Sequence, residues 1–306
     1  MDLARVPGQW RLRHVVQHVV GGFCSVSSVP ASSRPEDESE PTVAANMLFG
    51  AAVHRDEPGC AVCVVRAGET LYSRGFGLAS VEHSVPIYPH TIFDVGSVSK
   101  QFTAAAVVKL ALDGKLSLDD AVSTHIPGFP DYGMELTVSH LLHHTSGVRD
   151  YLTTMALAGL HSENVFTEEE VVELICRQQQ LNFSPGEEYL YSNSGYILLA
   201  AIVRAVTGGE SLGDYAARTL FKPAGMASTF WYEDRTRVIP HRATGYAHAG
   251  EDDGRQGANH TRFTVDTVWN FDVAGTKQHV FSVFPVGCHC RPRTHRKRTE
   301  KRRFNR

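Results

Sequence analysis

Apolar and polar positions divide the chain into a strand pair followed by a long helical section. Residues 60–66 and 70–76 are β-like runs joined by Ala67-Gly68-Glu69, and a three-residue connection containing glycine predicts a hairpin. Residues 44–55 fit a short helix ahead of it, and Gly75 and Gly77 end the second strand. From Ser97 the period lengthens. Phe102, Ala105, Ala106, Val108, Leu110 and Leu112 run without a breaker to Asp113-Gly114, which predicts a helix of about four turns with glycine just past its end. Its apolar residues on most sides predict that it is buried. Further helices are expected over 136–144, 167–180, 194–207 and 212–221, the last two stopped by Gly208-Gly209 and Pro223. Thr167 with Glu170 spells a capping box at the start of the 167–180 helix. No internal repeat is visible.

Polar stretches flank this body. Residues 30–43 are rich in Pro, Ser, Asp and Glu, with little to bury, and read as a linker. Ahead of them, Arg5, Arg11 and Arg13 precede a partly apolar run over 15–29 that Gln17, His18 and Ser25 to Ser28 dilute. That outline fits either a poor signal peptide or a disordered leader. The formal net charge of -3 hides an asymmetry: residues 291–306 hold nine Lys/Arg and one Glu, a local +8 that leaves -11 for the rest. So acidic a body argues against nucleic acid as the main partner, although the tail alone would suit an anionic surface. The chain has 306 residues, 42% of them hydrophobic, which is enough for a substantial core, and no run of eighteen apolar residues that would span a bilayer. Six cysteines (Cys24, Cys60, Cys63, Cys176, Cys288, Cys290) are too scattered for a small disulfide framework. Cys60 and Cys63 form a CxxC, but on a strand an odd spacing sends them to opposite faces, as expected of ordinary packed cysteines.

The candidate chemistry begins with Lys100. A lysine in the first turn of a buried helix is costly unless paired or neutralised. Ser97 lies three positions earlier on the same face, within side-chain reach. A desolvated amine can take a proton from a neighbouring hydroxyl, and free backbone N–H groups at a helix start favour developing negative charge. Tyr191 and Asn193 stand on a loop leading into the 194–207 helix, after the turn Ser184-Pro185-Gly186-Glu187. A tyrosine there can shuttle protons, and an asparagine can both donate and accept. His140, His143 and His144 fall at i, i+3 and i+4, but a zinc-protease pattern would need an acidic base among them, and none is present.

These residues stand in a wider pattern. Phe93-Asp94-Val95-Gly96-Ser97-Val98-Ser99-Lys100-Gln101-Phe102 resembles the nucleophile motif of class C β-lactamases, penicillin-binding proteins and related esterases. Leu141 to Gly147, Pro185-Gly186-Glu187, Tyr191 to Tyr196 and Pro223-Ala224-Gly225-Met226 resemble further landmarks of the serine β-lactamase-like superfamily, in its order. The resemblance covers roughly residues 55 to 275. It implies an α/β (α+β) fold of the β-lactamase/transpeptidase type, with an antiparallel sheet flanked by helices and a helical subdomain. It also implies roles. Ser97 is the nucleophile, Lys100 and Tyr191 share the proton traffic, Asn193 binds the substrate's amide, and the Ser97 N–H is half of an oxyanion hole. His144 becomes a turn-forming residue, and neither a metal nor an organic cofactor is implied. Members of the family are mostly exported or periplasmic, so the resemblance implies a periplasmic or secreted protein, or a cytoplasmic one if the poor leader is not a signal.

The pattern breaks off near the end. The family's third motif, Lys-Thr-Gly or His-x-Gly on a later strand, has no counterpart, and Gly275-Thr276-Lys277 has the letters in the wrong order and place. The expected organisation is therefore a leader over 1–43, a shortened hydrolase-type domain over 44–275 and a foreign basic tail over 276–306. The sheet is expected to be incomplete, with open strand edges. The implied activity is hydrolysis of an amide or ester (a β-lactam, a D-amino-acid peptide or an ester) on a small-molecule or peptide substrate through a Ser97 acyl-enzyme. The alternative is a catalytically impaired remnant.

Overall fold

The computed structural model describes residues 41–160, 166–234, 236–248, 263–265 and 280–282. The expected leader up to residue 40, most of the basic tail, and Cys24, Cys288 and Cys290 lie outside the described residues.

Helix α1 (Pro41–Ala52) opens three residues inside the stretch expected to be linker, on a proline suited to a first helical position. Strands β1 (Cys60–Arg66) and β2 (Glu69–Phe76) form the expected antiparallel hairpin. The link is two residues, not three: Ala67 (φ 51°) and Gly68 (φ 84°) are both left-handed, and Glu69 already pairs with Arg66. Two positive φ values match the right-handed strand twist better than a longer link would. Cys60, Val62 and Val64 join Phe49 of α1 and Val53, just past its end, around Ala45, Tyr72 and Phe76. Ala61, on the other face, packs on Ala79, Ile87, Phe93 and Ala243. The alternation thus separates Cys60 from Cys63, and burial pushes the Cys63 thiol up. Among the described residues β1 and β2 pair only with each other.

Short strands follow. β3 (Leu78–Ser80) pairs with β4 (Val85–Pro86), and β5 (Phe93–Asp94) leads into a 3-10 turn, Gly96–Ser99. Beyond the helices come β6 (Phe230–Trp231), β7 (Tyr246–His248), β8 (Phe263–Val265) and β9 (Val280–Ser282). β9 lies between β5 and β6, antiparallel to both. Strand pairing thus reaches past residue 275, into the segment that composition sets apart.

The helical part is built around α7 (Asn193–Val206), whose Ile197, Leu198, Leu199, Ile202 and Val203 are fully buried. Each such side chain contributes about 1.5–3 kcal/mol by leaving water. α2 (Lys100–Leu112) packs against it through Ala106, Val107 and Leu110, α4 (Val138–Leu142) through Val138 and Leu141, and α6 (Glu168–Cys176) through Val171 and Ile175. α2 departs from the expectation of burial on most sides. One stripe, Thr103, Ala106, Val107 and Leu110, is buried at helical spacing, while Leu112 is 80% exposed. Gly114 (φ 68°) ends the helix as predicted. The Thr167–Glu170 capping box forms at the start of α6. The remaining helices are α3 (Val122–His125), α5 (Tyr151–Leu157) and α8 (Leu212–Ala216), with α8 passing into one π turn, Ala217–Phe221. Among the described residues no helix is long and apolar enough to cross a membrane.

Candidate active site

Ser97 stands where β5 turns into α2. The reversal is tight: Gly96 adopts φ 49°, and its N–H donates to Asp94 Oδ1 at 2.7 Å. Only a residue without Cβ takes that φ freely. The 3-10 turn then runs into α2 without a break, so Ser97 and Lys100 share one side of it. Lys100 Nζ lies 3.2 Å from Ser97 Oγ.

The opposite wall comes from the loop before α7. That loop is zipped to residues 144–147 by three backbone bonds: Asn182 N–H to Gly147 O, Gly186 N–H to Thr145 O and Leu190 N–H to His144 O, at 2.8, 2.8 and 3.0 Å. Gly147 must be glycine here, with φ at 71° and a position where a Cβ would sit 2.1 Å from the Phe183 carbonyl oxygen. The zipper delivers Tyr191 and Asn193 to Ser97. Tyr191 donates its hydroxyl to Ser97 Oγ at 2.7 Å, and Lys100 Nζ donates to Asn193 Oδ1 at 2.9 Å. The ammonium also lies over the rings of Tyr191 and Tyr196, 4.9 and 5.6 Å from their centroids. All four residues singled out by the sequence (Ser97, Lys100, Tyr191, Asn193) meet in one cluster. Ser97 and Tyr191 are exposed on its open side, while Lys100 and Asn193 are half-buried.

His144 and Asp150 join this cluster without having been predicted to touch it. His144 does form a turn, with φ at 57°, but its ring also lies against Tyr191 (4.5 Å between centroids) and Tyr196 (5.1 Å). Its Nδ1 accepts the Ser192 N–H at 3.2 Å. Burial, then the Lys100 charge, hold its pKa below the ordinary imidazole value. Burial likewise pushes the Tyr196 phenol up, helped by Tyr191 and Tyr189. His140 and His143 take other partners: His140 Nδ1 accepts the Thr137 N–H in the cap of α4, and His143 Nδ1 meets the Ser139 carbonyl. Asp150 caps α5 and accepts from Asn193. An aspartate just ahead of a helix is a readable cap signal, but its second partner, 43 residues on, leaves no local mark.

Chemically, Ser97 Oγ sits between two groups that can each exchange a proton with it. The hydroxyl can attack a carbonyl once either the amine or the phenol is deprotonated, and the other group then remains a donor.

Residues 44–280 match the Beta-lactamase family. Penicillin-binding protein 4* of Bacillus subtilis (strain 168) is 35% identical over 190 residues, 61% of this chain and 41% of that protein. A D-aminopeptidase of Gluconobacter oxydans (strain 621H) is 34% identical over 211 residues, 68% of this chain and 39% of its own length. The chain therefore spans about two-fifths of these relatives. The D-amino acid amidase of Ochrobactrum anthropi SV3, solved with D-phenylalanine, superposes with a TM-score of 0.65 at 25% identity, covering 78% of this chain and 67% of the amidase.

Proposed function

The chain belongs to the Beta-lactamase family of serine hydrolases, with its β-lactamase/transpeptidase-like fold, and we propose that it cleaves an amide or ester bond through an acyl-enzyme on Ser97. The observation that carries this is the double hold on Ser97 Oγ, by Lys100 Nζ at 3.2 Å and Tyr191 OH at 2.7 Å. Oγ attacks the substrate carbonyl and its proton passes to Lys100 or Tyr191. The oxyanion forms beside the Ser97 N–H. The leaving amine or alcohol takes the proton as the C–N or C–O bond breaks. Water, deprotonated by the same pair, then attacks the ester carbonyl and returns Ser97. Asn193 Oδ1 holds the Lys100 amine in place, and the amide hydrogen of Nδ2 not used by Asp150 is free to meet a substrate carbonyl. The named relatives favour a D-amino-acid amide or peptide, and β-lactams and simple esters present the same acyl chemistry.

A second reading has one observation behind it. The strand between β5 and β6 reads Val280-Phe281-Ser282 and carries neither a Lys-Thr-Gly nor a His-x-Gly, as in a fold that binds without turning over. Labelling separates the two. The full chain is incubated with a fluorophosphonate and with a labelled penicillin, and intact mass is read. One adduct per chain, absent in Ser97→Ala, is expected. No adduct with either probe would leave the non-catalytic reading standing.

A further inference from the structure

The Asn193 side chain lies between two charges of opposite sign, and this decides which end faces which. Asp150 Oδ2 accepts the Asn193 backbone N–H at 2.6 Å and its Nδ2 at 2.9 Å. On the other side, Lys100 Nζ donates to Asn193 Oδ1 at 2.9 Å. A carboxylate only accepts and an ammonium only donates, so an amide between them has a single favourable orientation. Asp150 is itself held. Its other oxygen, Oδ1, accepts from Leu152 and Thr153 N–H at 3.0 and 3.4 Å, at the start of α5. The same turn is fastened to α7 by Ser194 Oγ, which accepts the Tyr151 N–H at 2.8 Å and donates to the Arg149 carbonyl at 2.7 Å. The carboxylate thus divides its work: one oxygen caps a helix and the other faces the candidate site.

We propose that Asp150 is a positioning residue for the reaction: it acts as counter-charge to Lys100 across the Asn193 amide and keeps Nζ aimed at Ser97 Oγ. Without it the amide is free to rotate and present Nδ2 to Nζ, a donor facing a donor. The lysine would then lose the acceptor that fixes Nζ beside Ser97 Oγ. This inference rests on the Ser97 reading above.

The two oxygens allow the two roles to be separated. Asp150→Ser and Asp150→Asn both keep a good cap for α5. The serine is too short to reach Asn193, and the asparagine cannot accept both N–H groups while it caps. Each variant is expected to melt close to wild type and to be acylated by the fluorophosphonate about 10- to 100-fold more slowly, the range for losing a hydrogen bond to a charged group. In an Asn193→Ala background the same change should cost less than about threefold, because Asp150 acts through that amide. Acylation of Asp150→Asn within about threefold of wild type, or an equal cost with and without Asn193, would overturn the proposal. A second measurement works even without turnover. The Asn193 side-chain amide, assigned in ¹⁵N spectra by its loss in Asn193→Ala, should exchange slowly in wild type and in Ser97→Ala, and rapidly in Asp150→Asn. An unprotected amide in wild type would refute the positioning role. A wild type that takes no label but shows the protected amide would leave the arrangement standing while the hydrolase reading falls.

Discussion

The division of proton work between Lys100 and Tyr191 can be settled with one atom. Tyr191→Phe removes only the hydroxyl that donates to Ser97 Oγ at 2.7 Å. The ring stays, 4.5 Å from the His144 centroid and under the Lys100 ammonium at 4.9 Å. At 41% exposure the lost hydrogen bond is replaced by water, so stability should change by less than about 1 kcal/mol. The effect on rate depends on what the hydroxyl does. If it only steadies Ser97, the loss is about 0.5–1.5 kcal/mol, roughly two- to twelvefold. If it carries the proton in the transition state, the loss is about 100- to 10,000-fold, roughly 3–5.5 kcal/mol. These ranges do not overlap, so a single number decides. Acylation by fluorophosphonate, followed by intact mass over time, gives the rate constant, and thermal melting gives stability. We expect a drop of at least about 100-fold with an unchanged melting temperature. A variant acylated within about tenfold of wild type would leave Lys100 as sole base and refute the shared mechanism.

Two further outcomes test the supports of the site. His144 is held neutral by burial and by Lys100, with Tyr189, Tyr191, Tyr196 and His143 also around its ring. Its folded pKa lies below the ordinary 6.5, so the unfolded chain binds more protons as pH falls below that value. Stability present above it is lost downward through the folded pKa. His144→Gln, which can still accept the Ser192 N–H, should flatten the melting-temperature profile below about pH 6.5; an unchanged slope would rule His144 out as the source. Gly147→Ala should destabilise by at least about 3 kcal/mol, because the left-handed φ of 71° and a Cβ 2.1 Å from the Phe183 carbonyl act together. A urea midpoint giving under 1 kcal/mol would show that the 182–190 loop can move off the 144–147 segment.

What the sequence makes legible here is what is local. The hairpin, the helices α2, α6 and α7, and the spacing of Ser97 and Lys100 each follow from a period, a cap or a turn within a few residues. Strands β3 to β9 are two or three residues long, too short for alternation to show. The apolar run of α2 predicts more burial than the helix has, because composition does not say how many neighbours a helix has. Leu112 is apolar and still 80% exposed. Asp150 illustrates the other limit. Its cap role is written in the residues beside it, but its hold on Asn193 depends on the 144–147 segment closing on the 182–190 loop. No spacing encodes that closure. It arises because three backbone bonds, one glycine and the Ser194 hydroxyl fix where α7 begins relative to α5. A charge that works through an amide is therefore found by following hydrogen bonds outward from the nucleophile, from Ser97 to Lys100 to Asn193 to Asp150.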